Sequence, residues 1–226
     1  MDLMAYTDIY CERTAPGLLN EPLNFFSNLA FIFAGLLILR MLRQEPLRDN
    51  KWQGLSLLAA SMMIVVGIGS MLFHSFATIW AEFADVIPIA IFVFYFLILH
   101  VLAVVNRGWL GVGIAMTGLV IAGVVFAQVI DPTMVNGSQD YFAPLLLLMV
   151  LSVIHYRKHA QSGIWMVAGC ATFVTSLLMR GMDLKVCEAW PFGTHFLWHT
   201  LNGVLLYALM RGLIGFLRVQ ESKARG

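Results

Sequence analysis

The chain has 226 residues, of which 60% are hydrophobic and only 12% charged. A soluble domain carries about a quarter charged residues, so this chain is too poor in charge to cover a water-facing surface. Its formal net charge of +1 provides no strong field for nucleic acid or another polyanion. Taken in chain order, residues 1–23 hold Asp2, Asp8, Glu12, Arg13 and Glu21, without the basic-then-apolar order of an export signal. Seven apolar runs follow, at 24–42, 54–75, 82–105, 109–130, 141–156, 164–180 and 194–217. A bilayer core takes roughly 17–25 such residues per helix. The runs are continuous rather than alternating, which selects helices over a barrel. The expectation is therefore an all-α polytopic integral membrane protein with seven transmembrane helices. No linker divides it, so 1–226 reads as one domain, with 1–23 as an outer segment and 218–226 as a cytoplasmic tail.

Orientation follows from the basic residues, which favour cytoplasmic loops. Eleven of them fall in the 1–2, 3–4 and 5–6 connections and on the C-terminal side, among them Arg40, Arg43, Arg48, Lys51 and Lys158. The opposite side holds only Arg13, Arg180 and Lys185. The N-terminus is thus expected outside and the C-terminus in the cytoplasm.

Polar residues inside apolar spans usually mark function, because they are costly to bury in lipid. Here they gather on the outer side. The second run ends in Ser70 and His74, the third opens on Glu82 and Asp85, the sixth ends at Arg180 and Asp183, and the seventh opens on His195 and His199. Residues four apart share a helix face, so His195 and His199 can reach one ion from adjacent turns. His74 would supply a third nitrogen and leave a fourth position open, the pattern of a catalytic zinc site. Imidazole also suits iron and copper. The alternative for the histidine pair is hydrogen bonding to nearby carbonyls. His100, His155 and His159 lie towards the cytoplasmic side and read as interfacial or solvated. Arg180 and Asp183 read as a local ion pair.

Ser70-x3-His74-x10-Asp85, followed by His195-x3-His199, resembles the alkaline ceramidase family. That family lies within a superfamily of seven-helix membrane hydrolases and adiponectin- and progestin-type receptors. Tyr10-Cys11-Glu12-Arg13 and Glu21-Pro22-Leu23-Asn24 resemble its opening segment. The resemblance implies a zinc-dependent amidase that cleaves the N-acyl bond of ceramide. His74, His195 and His199 would then ligate zinc, Asp85 would orient or deprotonate the attacking water, and Ser70 would help hold the oxyanion. It also implies calcium near Asp8, Glu12 and Glu21, although Asp8 stands one residue too far from Cys11 and the stretch from Glu12 to Glu21 is short. The compact chain resembles bacterial members, so the expected location is a bacterial inner membrane with the site towards the periplasm. The expected partner is a lipid, ceramide or another N-acyl lipid, with no obligate protein partner.

Two other functions fit the same residues: a receptor or lipid-binding protein with structural zinc, and a hydrolase of lipid esters. The topology puts Cys11 and Cys187 on one side, which leaves both a disulfide and two free thiols open. In the resembling family the cysteine at the Cys11 position pairs with the 6–7 connection, which implies the disulfide. Cys170 is expected to be a buried free thiol.

Overall fold

A computed structural model describes residues 2–225. Seven membrane-length helices follow one another: Pro22–Gln44, Asn50–Phe76, Ile79–Val105, Gly108–Val129, Ser138–Lys158, Ala160–Lys185 and His195–Lys223. The first is broken at Asn28 into α1 (Pro22–Ser27) and α2 (Leu29–Gln44). The others are α3 (Asn50–Phe76), α4 (Ile79–His100, continued by a π turn Val101–Val105), α5 (Gly108–Val129), α6 (Phe142–Lys158), α7 (Ala160–Val186) and α8 (His195–Lys223). Among the described residues the only β-type pairing is an isolated bridge between Tyr6 and Thr78.

Most of the observed helices are longer than the predicted runs, α7 most clearly. A 27-residue helix is about 40 Å long, whereas the hydrocarbon core is about 30 Å. Hydropathy registers only the part in the hydrocarbon. The ends continue into the interface, where charged residues and caps finish them. Asp49, for example, accepts N–H bonds from Lys51 at 2.8 Å and Trp52 at 3.3 Å at the start of α3.

Each helix packs on the next, and α8 returns to α2, which closes a ring. α8 is the most enclosed member, with Met210, Leu213 and Ile214 fully buried. α5 faces outward along most of its length, in the manner of a helix bathed in lipid. Close approaches depend on small residues. A Cβ at Gly69 would overlap the Ala84 carbonyl, so glycine there lets α3 and α4 meet at the level of Ser70 and Asp85.

The N-terminal segment is strapped across the histidine end of the ring. Thr7 N–H donates to Ala77 O at 2.8 Å, and Ile79 N–H donates to Ala5 O at 3.2 Å. Cys11 and Cys187 are joined in a disulfide with their Cα atoms 5.5 Å apart. Cys170 is a free, partly buried thiol on α7.

At the opposite end two expectations are corrected. His100 and His155 are fully buried rather than solvated. His100 Nε2 lies 3.0 Å from His155 Nδ1, and His155 Nε2 lies 2.9 Å from Ser162 Oγ. Burial is tolerable because each ring meets another polar group. His159 is partly exposed and caps α7 through Ser162 N–H at 3.2 Å.

Candidate metal centre

His74 comes from the last turn of α3, and His195 and His199 come from the first two turns of α8. All three are buried, and one ring nitrogen from each lies within 4.8 Å of the others. His74 Nε2 and His199 Nε2 are 3.1 Å apart. Two nitrogens bound to one tetrahedral zinc, each at about 2.0–2.1 Å, would sit about 3.3 Å apart.

The outer hydrogen bonds fix which nitrogens face each other. His74 Nδ1 lies 2.6 Å from Glu21 Oε2. Burial works to raise the Glu21 pKa, but hydrogen bonds and charge from His74, with further bonds from Arg13 and Asn24, bring the carboxyl below its usual range. An ionised carboxylate only accepts, so His74 Nδ1 carries the proton. Ser27 Oγ donates to Asn24 O at 2.9 Å and lies 2.8 Å from His199 Nδ1. With its proton committed to Asn24, Ser27 accepts from His199 Nδ1–H. With both rings neutral, the two Nε2 atoms present lone pairs to each other at 3.1 Å. That arrangement is repulsive unless a proton or a metal ion lies between them, and it is how a metal-binding imidazole is normally oriented. His195 Nδ1 is buried without a hydrogen-bond partner. These donors fit a divalent metal that takes nitrogen ligands, zinc included.

Two further contacts hold His195. Tyr10 stacks on its ring with centroids 3.7 Å apart. The buried Asp183 carboxylate caps α8: Oδ1 accepts Thr194 N–H at 2.7 Å and His195 N–H at 2.9 Å, and Oδ2 accepts Cys11 N–H at 3.1 Å. Gly193, at φ 62°, fits against this carboxylate, and a Cβ there would overlap Asp183 and Cys11. The expected Arg180–Asp183 pair is not formed. Asp183 faces the start of α8, while Arg180 Nη1 donates to Asn136 O at 2.5 Å and Ser138 Oγ at 3.0 Å.

Replacing Asp183 with alanine leaves three backbone donors short of a charged acceptor. Buried unpaired donors cost about 1–3 kcal/mol each, so thermal unfolding in detergent should begin clearly lower than in wild type. Asp183→Asn, which keeps an acceptor oxygen, should lose less. Wild-type unfolding of Asp183→Ala would refute the capping role.

Ser70, Asp85, His195 and His199 line one cavity, whose remaining wall is largely apolar and includes Phe92, Phe96 and Leu148. Asp85 Oδ1 is buried with no hydrogen-bond partner. A family model described as Ceramidase matches residues 10–225. The chain belongs to the ceramidase family. No curated protein matches this ceramidase-family chain.

The carboxylates considered for calcium do not converge on a shared site. Asp8 is exposed, and its nearest bond is to Tyr6 Oη at 3.5 Å. Glu12 spends both oxygens on α1, accepting Leu23 N–H at 2.7 Å and Asn24 N–H at 2.8 Å. Burial raises its pKa, against these two bonds. Glu21 is taken by His74, Asn24 (2.9 Å) and the buried Arg13 guanidinium. Arg13 also donates to Gly17 O at 3.1 Å and His74 O at 2.9 Å. The cation beside Glu21 is thus an arginine of the chain itself, and these residues do not fit calcium. Among the described residues, the three histidines are the only group spaced for a metal.

Sequence reasoning missed Ser27 and the two roles of Glu21 and Asp183. A serine in an apolar run gives no signal by itself. Glu21 stood out only as a calcium candidate in the opening segment, and Asp183 only as a partner for Arg180.

Proposed function

We propose that this chain is a zinc-dependent lipid amide hydrolase that releases a fatty acid from an N-acyl sphingoid base or a similar lipid. The observation that carries the reading is the contact of His74 Nδ1 with Glu21 and of His199 Nδ1 with Ser27, which turns both Nε2 atoms inward beside His195. Membership of the ceramidase family and the apolar cavity that reaches this point support it.

Bound zinc would be held by His74, His195 and His199, and supplies an activated water at neutral pH and a polarised carbonyl. Asp85, on the cavity wall with a free carboxylate oxygen, takes the proton as water adds to the acyl carbon and returns it to the amine nitrogen as the C–N bond breaks. Ser70 donates its hydroxyl hydrogen to the carbonyl oxygen as negative charge builds there. The apolar wall holds the acyl chain and keeps other water away. A purely structural metal would need neither Asp85 nor Ser70, which favours the enzyme over a receptor.

The charge bias of the loops supports an N-terminus outside, a C-terminus in the cytoplasm and a site towards the outer face, which is the periplasm in the bacterial inner membrane that the resemblance implies. Purified protein should release fatty acid from at least one N-acyl lipid in a panel that includes ceramide and lipid esters. A zinc chelator should abolish the release, and added zinc should restore it. Hydrolysis that survives complete metal removal, or no hydrolysis of any lipid by the metal-loaded protein, would overturn the reading.

A further inference from the structure

Arg180 is a charged residue with no part in the chemistry above. It lies on α7 and lines the same cavity as Ser70, Asp85, His195 and His199. Arginine at membrane depth is costly and usually serves a function. Among the described residues no carboxylate comes within 4.0 Å of its guanidinium. Its two closest hydrogen bonds run from Nη1, to Asn136 O and Ser138 Oγ, and the Tyr10 side chain lies near it in the same cavity.

The group is nonetheless held firmly. Its Cζ lies 5.3 Å from the Tyr141 ring centroid and 5.6 Å from that of Trp198. Trp198 stands between His195 and His199 on α8, so the guanidinium sits within a side chain's length of the metal ligands. A fixed guanidinium with unused donors is suited to grip a carboxylate. The rest of the cavity wall is mostly hydrocarbon, with Phe31, Ile89, Phe96 and Leu209 along it.

We propose that Arg180 forms an anionic headgroup subsite, and that the preferred substrates are N-acyl amino acids, whose carboxylate lies one carbon from the amide nitrogen. The acyl chain occupies the apolar wall, the amide lies at the three histidines, and the carboxylate meets the free edge of Arg180. This rests on the amide-hydrolase reading and narrows its substrate class.

The test separates binding from turnover. Metal-stripped protein in detergent is titrated with N-oleoylglycine, neutral N-oleoylethanolamine and oleate, and thermal stabilisation is followed for wild type and Arg180→Gln. N-oleoylglycine should raise the unfolding temperature more than N-oleoylethanolamine in wild type. The difference should vanish in Arg180→Gln, with stabilisation by the neutral lipid retained. Equal stabilisation by the two in wild type, or a difference that persists in Arg180→Gln, would overturn the subsite. If oleate matches N-oleoylglycine with the same dependence on Arg180, the site reads the carboxylate of the fatty-acid product and the headgroup proposal fails. With zinc restored, kcat/KM should favour N-oleoylglycine over N-oleoylethanolamine by about tenfold or more, the order of one charge-assisted contact. Efficient hydrolysis of neutral lipids without that preference overturns the subsite but leaves the hydrolase intact. The wild-type comparisons need no variant, so they decide the matter even if Arg180→Gln does not fold.

Discussion

Replacing His199 with alanine should leave purified protein with little or no bound zinc and no measurable lipid hydrolysis. Three protein ligands are the fewest found in ordinary catalytic zinc sites, and His199 provides one of two Nε2 atoms that face each other at 3.1 Å. Its loss removes a metal bond and the geometry that fixes His74 opposite. The supporting residues should show a graded effect. Ser27→Ala takes away the acceptor of His199 Nδ1–H, and Glu21→Gln weakens that of His74. Loss of such outer partners typically costs about 10–100-fold in metal affinity or activity. Metal analysis after dialysis and competition with a chromogenic chelator read both effects. Stoichiometric zinc in His199→Ala would remove the histidine from the site.

Asp85→Asn should lower kcat/KM by about 100-fold or more, the usual contribution of a positioned acid–base group, while zinc remains stoichiometric. A factor of 100 corresponds to about 2.7 kcal/mol of transition-state stabilisation. The substitution keeps the size of the side chain, and Oδ1 has no hydrogen-bond partner to lose. A loss confined to turnover, with unchanged metal content and unfolding temperature, therefore isolates the chemical role. Ser70→Ala should cost less, because the metal still stabilises the oxyanion in its absence. If Asp85→Asn turns over its preferred lipid at the wild-type rate, proton transfer must be assigned to another group.

The Arg13–Glu21–His74 chain bears on how far residues can be transferred by resemblance. Glu21 was legible as an acid in the segment matching the family's opening, and calcium followed from that likeness. The structure puts the Arg13 guanidinium beside it and gives its other oxygen to His74. One side chain thereby links the N-terminal strap to the candidate metal ligand His74. The disulfide from Cys11 to Cys187 and the bond from Cys11 N–H to Asp183 tie the same strap to the start of α8.

The sequence by itself determined the seven helices and their approximate positions, because continuous apolar runs in lipid admit only helices whose backbone bonds close internally. It also brought His74, His195 and His199 to one end of the bundle, since His195 and His199 are one turn apart and alternate helices reverse direction. Tertiary structure decided what depends on which faces meet. Arg180 and Asp183 are three residues apart on α7, yet one enters the cavity and the other caps α8, because Asn136 and Ser138 draw the first while the N–H groups of Thr194 and His195, which have no partner within the first turn of α8, draw the second. His100 and His155 are 55 residues apart, and only the contact between their helices makes both burial sites tolerable. Helix periodicity and hydropathy act along the chain and can be read from it. Partner choice for a buried polar group is set across the chain, by whichever donor or acceptor the packing brings within hydrogen-bond reach.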